Sequence, residues 1–146
     1  MSQIGIEQAF FDSFSDFGYT YVDYPNGAQS DIPSTAINYA VSIIYADGAP
    51  TGIGADSTDR YRGIFQVTIR APLLNTNGDP AGTYEAGVQA AVIANRYKKG
   101  TSISYPVVSP TTYVHCKTPI IKHLGNIDDT WYYIVISCYW WADIIV

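Results

Sequence analysis

The side chains best suited to chemistry are His115, Cys116 and His123, a thiol with two imidazoles close by in sequence. An imidazole that takes the proton of a cysteine makes a nucleophilic thiolate, so these types invite an enzymatic reading. The spacing opposes it. His115 and Cys116 are adjacent in a segment that reads as a strand, and adjacent strand residues point to opposite faces. No orienting acid and no cysteine-protease signature surround Cys116. A packed thiol beside a rim histidine is the expectation. Asp56–Ser57–Thr58–Asp59 and Asn75–Thr76–Asn77–Gly78–Asp79 offer oxygens of the kind calcium takes. Neither has the twelve-residue ligand spacing with its closing glutamate, so turns held by Asn and Asp side chains are expected. There is no phosphate-binding glycine loop, no GxSxG elbow and no HExxH pair. The expected site list therefore has no catalytic residue, no metal and no cofactor.

Two further groups suit binding. Arg60, Arg62 and Arg70 could reach phosphates but lack a basic surround, so pairing with acids of a neighbouring subunit is expected. Trp131, Tyr132 and Tyr133, with Tyr139, Trp140 and Trp141, could stack on sugar faces. They alternate along one strand and so fall on both of its faces, which favours core and interface roles for Trp131, Tyr133, Trp140 and Trp141. A carbohydrate-binding module is the alternative of a different class.

The element that positions these groups is the stretch Arg60 to Pro72. Phe65, Val67 and Ile69 point one way, Gln66, Thr68 and Arg70 the other, as in a strand with one buried face. Pro72 ends it, having no N–H for a ladder. Upstream, Gln3–Phe17 reads as a helix with Ile6, Phe10, Phe14 and Phe17 on one stripe and Gly18 as its stop. Tyr19–Pro33 reads as an irregular linker. Ile37–Ala46 reads as a strand with Ile37, Tyr39, Val41, Ile43 and Tyr45 on one face. The glycine-rich stretch Asp47 to Asp59 joins the two strands as an oversized hairpin tip, a docking element through Asp47, Gly48, Gly52, Gly54, Asp56 and Asp59.

Downstream, Asn77–Gly78–Asp79–Pro80 is a turn. Thr83–Lys99 reads as a helix with Thr83 as N-cap, Gly100 at C′, and Tyr84, Val88, Ala91, Val92 and Asn95 on one face. Val88 and Val92 should cover Phe65 and Val67. Thr101–Val108 reads as an edge strand, Tyr113–Lys117 as a short one, and Thr130–Asp143 as a long strand apolar on both sides. One side should meet the helices, the other the N-terminal helix or a neighbouring subunit. The sum is an α+β domain, an antiparallel sheet with a central helix across one face. Residues 1–32 form an N-terminal helix and linker, and 33–146 the core of a single domain.

Composition bounds the function. Of 146 residues, 14% are charged and 47% hydrophobic, a balance that suggests a partner covers some surface. The net charge of −5 excludes nucleic-acid binding as the default. Before Arg60 there are eight acids and no base, and all Lys and Arg fall between Arg60 and Lys122, which suits directed self-assembly. Cys116 and Cys138 could form one disulfide; a reduced pair is the expectation. Met1–Ser2–Gln3–Ile4 opens no signal peptide, and no apolar run is long enough for a membrane span, so a soluble protein made in a cytoplasm is expected.

The order of motifs resembles a known family. A Gly/Asp loop (Gly54–Asp59) enters Tyr61–Arg62–Gly63–Ile64–Phe65–Gln66–Val67; an alanine-rich helix (Glu85–Lys99) ends at Gly100–Thr101; Asp129–Thr130–Trp131–Tyr132 opens an aromatic strand to Asp143. Over roughly residues 33–143 the chain resembles the tail terminator-like proteins of long-tailed bacteriophages. The resemblance implies a tail-tube-like fold and a ring, typically hexameric, that caps the tube and ends its polymerisation. Its partners would be the major tail tube protein and a head completion or neck protein. It implies a virion protein of the head-proximal tail, made in the host cytoplasm, with DNA passing an acidic or neutral lumen without specific binding; acids of Asp47–Asp59 and Asp128–Asp129 are candidates for that lining. Another connector or minor tail protein is the nearest alternative.

Overall fold

The computed structural model describes residues 3–25, 36–46, 49–50, 58–73, 82–105, 112–126 and 131–145. In chain order these form α1 (Gln3–Ser15), β1 (Val22–Asp23), β2 (Asn38–Tyr45), β3 (Ala49–Pro50), β4 (Thr58–Pro72), α2 (Gly82–Arg96), β5 (Ser102–Tyr105), β6 (Thr112–Cys116), β7 (Ile120–Asn126) and β8 (Trp131–Ile145). They build a mixed α+β domain around one curled sheet, in the order β1-β2-β4-β8-β6-β5, with β3 beside β4 and β7 beside β8. Only the short β1–β2 pairing is parallel among these strands.

The expected strand from Arg60 is the middle of the sheet. β4 runs antiparallel to β2 on one edge and to β8 on the other, from Thr58 against Ile145 to Pro72 against Trp131. Its alternation decides the two faces. Phe65, Val67, Ile69 and Ala71 are fully buried, as are Ile134, Ile136, Cys138 and Ala142 of β8. Burying an Ile, Val or Phe side chain is worth about 1.5–3 kcal/mol, so these rows dominate the fold's hydrophobic term. Gly63 lies opposite Trp140 within this surface. A Cβ there would stand 2.3 Å from the Ile44 carbonyl oxygen and 2.6 Å from the Trp140 ring. Only glycine lets the indole lie down on the strand.

Both helices cover this same face. On α1 the stripe Ile6, Phe10 and Phe14 is buried and Phe17 packs at its edge; Gly18, at φ 71°, ends the helix as expected. Phe10 stacks on Phe65 at 4.6 Å between ring centroids, and Tyr97 meets Phe65 edge-on at 5.2 Å. The Tyr97 hydroxyl bonds to Ser13 Oγ at 2.7 Å, and Ser13 donates in turn to the Phe10 carbonyl, so the tyrosine is the donor. This bond ties α1 to the end of α2 in the core.

Several expectations change. The buried face of α2 is Ala86, Ala90, Ile93 and, just past its end, Tyr97. Val88 and Val92, expected to cover Phe65 and Val67, are 41% and 45% exposed, and Tyr84 of the same expected face is 76% exposed. Apolar residues occur on both sides of this helix, and the alanine side allows the closer approach to the sheet. α2 begins at Gly82 and ends at Arg96, short of Lys98 and Lys99. Gly100 does have positive φ, at 88°, but in a separate turn where its N–H donates to the Cys116 carbonyl at 3.2 Å. The N-terminal helix does not cover the second sheet face. The linker contains β1, and both ends of the hairpin tip belong to strands, Ala49–Pro50 pairing with Asp59 and Arg60. Asp47, Gly48, Gly52, Gly54 and Asp56 lie outside the described residues.

An unexpected strand completes the sheet. β7 follows β6 after three residues, and both pair with the same edge of β8, β6 near Trp140 and β7 from Ser137 to Tyr132. They are one strand bent at Lys117–Thr118–Pro119, where Lys117 N–H still donates to the Tyr139 carbonyl. A second irregularity follows between His123 and Gly125, with Gly125 at φ 75°.

Candidate functional site

Among the described residues no helix lies over the second face of the sheet. Along β8 it carries Trp131, Tyr133, Val135, Ser137, Tyr139, Trp141 and Asp143, alternating with the buried row as read from the sequence. β4 contributes Arg60, Arg62, Ile64, Gln66, Thr68 and Arg70. Strand register brings distant residues together here. Trp141 lies on β8 between Arg62 of β4 and His115 of β6, and Asp143 lies opposite Arg60.

The geometry around Trp141 is specific. Arg60 makes two parallel bonds to Asp143, Nε to Oδ1 at 2.8 Å and Nη2 to Oδ2 at 3.1 Å. The same guanidinium sits over the Trp141 ring, 4.3 Å from its centroid. From the neighbouring strand the His115 ring lies 4.2 Å from Trp141, tilted by 30°, and its Nδ1 is 2.9 Å from Ser102 Oγ. A planar guanidinium suits both its carboxylate fork and an aromatic face. The bonds to Arg60 hold the Asp143 carboxyl below the ordinary carboxylate range, and Asp143 raises Arg60 in return. At the other end of the face Arg70 Nη2 bonds to Asp23 at 3.1 Å, beside buried Asn38.

This arrangement braces β4, β6 and β8 against one another. The Asp143 carboxylate is committed to Arg60, and among the described residues no other acid is bonded to the Ser102–His115 pair. Cys116, directly after His115, points into the core as expected. Burial pushes its thiol up to about 11 and that of Cys138 to about 12, far from a reactive thiolate. Both cysteines are free. His123 sits on β7, its Nδ1 3.0 Å from the Tyr132 hydroxyl.

No family model and no curated protein matches the chain. What the face can do therefore rests on its own residues. Of the arginines expected to pair with a neighbouring subunit, Arg60 and Arg70 find acids within the chain. Exposed Arg62 has no acidic partner among the described residues, and neither has exposed Lys122 on β7. Phe65, Val67 and Trp140 are core; Trp131, Tyr133 and Trp141 lie partly buried on the outer face. The sugar-stacking alternative loses its best ring, since Trp141 has Arg60 on one flank and His115 on the other. Among the described residues no three His, Cys, Asp or Glu side chains group as metal ligands. The calcium-like stretches lie outside the described residues except for Thr58 and Asp59. Sequence reading missed Ser102 and Asp143 as parts of this cluster; Asp143 lies 83 positions from Arg60, and no local signal links them.

Proposed function

We propose that the chain is a ring-forming structural protein of a bacteriophage tail, a tail terminator that caps the tube and joins it to the neck. One observation carries the reading: a broad sheet face with no helix over it among the described residues, on which aromatic and charged side chains are paired across strands around Trp141. The motif Tyr61–Val67 lies on the central strand of that sheet, which agrees with the sequence resemblance. Helices on one side and, among the described residues, strands alone on the other make a two-sided subunit of the kind that stacks in assemblies. Arg62, which has no acidic partner among the described residues, suits a contact with an acidic surface of the tube or neck protein, not the acidic lining of a pore.

Electron microscopy of the purified protein, alone and mixed with tail tubes, tests the proposal. Closed rings that sit on tube ends are the expected result. Monomers that never associate with tubes, at any protein concentration or salt, would overturn it. Labelled protein should also localise to the head-proximal end of assembled tails.

A further inference from the structure

Exposed large apolar side chains concentrate on two elements away from the Trp141 cluster. The outer face of α2 presents Tyr84, Val88 and Val92, and the edge strand β7 presents Ile120, Ile121 and Leu124, between 39% and 76% exposed. Tyr84, Val88 and Val92 recur at helical spacing on the side of α2 turned away from the sheet, an exposed apolar stripe of the kind that marks a contact surface. Beside the α2 face runs a groove of about 290 Å³ lined by Ile37, Tyr84, Glu85, Val88 and Gln89. Glu85 is the acid of this patch and Lys122 is the base of the other. Neither has an ionic partner among the described residues. As an edge strand, β7 offers side chains from both of its faces to a neighbour.

We infer that a second copy of this chain is the partner: the β7 rim of one subunit docks on the outer face of α2 of the next, with Lys122 beside Glu85 and the isoleucines against Tyr84 and Val88. Each patch is apolar and carries one charge, and the charges are opposite, so every subunit holds both halves of the joint. A joint between two different patches repeats from copy to copy and closes into a ring when the rotation allows. This last step rests on the proposed ring; the pairing of the two patches does not.

Sedimentation of the full-length protein over a range of concentrations tests the pairing, with thermal melts as the folding control. Glu85→Lys and Lys122→Glu should each weaken self-association at least about tenfold, and the double reversal should restore it. Val88→Asp should abolish association and leave melting near wild type, because the position is exposed. Arg62→Glu, on the bare sheet, should leave association unchanged. The inference is overturned if wild type does not self-associate, if the charge reversals do not rescue each other, or if only Arg62→Glu dissociates the protein. A rescued assembly that stops at dimers keeps the pairing and removes the ring. Rings indifferent to every α2 and β7 variant keep the ring and remove the pairing.

Discussion

The two faces of β4 and β8 are built from alternate residues of the same strands and are held by different physics. The inner face is volume: Phe65, Val67, Ile134, Ile136 and Trp140 interlock with α1 and α2 and exclude water. The outer face is pairwise geometry, with Arg60 forked onto Asp143, stacked on Trp141, and His115 on the other flank. A close-packed interior penalises every lost methyl group, whereas a partly solvated ion pair contributes little to stability. The difference teaches where to look for each property: stability sits inside, and the proposed contact surface is the side whose ordered pairs contribute little to it.

The largest effect should come from the inner face. Phe65→Ala removes the ring that Phe10 and Tyr97 contact and should cost about 3–5 kcal/mol, lowering the thermal midpoint by roughly 10 °C. Ile64→Ala, one residue along and on the outer face, should cost less than about half of that. Equal losses would erase the distinction. A smaller effect is expected from Tyr97→Phe, which deletes the buried bond to Ser13 and should cost about 0.5–1.5 kcal/mol in denaturant unfolding.

Alkali should act through the inner face as well. Burial raises the thiols of Cys116 and Cys138 to about 11 and about 12, above their ordinary value of 9.0. Groups raised in this way support the fold fully below the unfolded-state pKa. That support declines as pH climbs past about 9 and is lost through about 12. Melts taken from pH 8 upward should fall progressively, and a Cys116→Ala/Cys138→Ala protein should fall less steeply. The smallest effect belongs to Asp143→Asn. Asp143 is held low by Arg60, so its contribution is present above the ordinary carboxylate pKa and fades as pH drops below it. The variant should melt close to wild type at neutral pH, differ least at high salt, and flatten the acid limb slightly.

Legibility followed the range of the interactions. β4 and β8 could be read because their alternation is a local consequence of lying between two environments. The α1 stripe and the Gly18 stop are equally local. α2 was legible as a helix and misread in orientation: periodicity finds an apolar stripe, but Tyr84–Val88–Val92 competes with Ala86–Ala90–Ile93, and the sheet chose the smaller side. β7 was missed because Ile120–Ile121 breaks alternation, as a rim strand exposed on both sides tolerates. The cluster around Trp141 joins residues from β4, β5, β6 and β8, a meeting set by strand order, which no single segment encodes.

The place of β8 in the sheet also governs when the protein can exist. The strand that separates β4 from β6 is the latest of the described elements to be made, and its pairing with β4 joins positions roughly sixty to ninety residues apart, a topology that slows folding. Until residues 131–145 have been made, the sheet holds only its β1-β2-β4 half, and the inner faces of β4 and α2 lack the row Ile134, Ile136, Cys138 and Trp140 that completes their core. A nascent chain paused before Trp131 should therefore expose apolar surface and be cut by proteases faster than the finished protein.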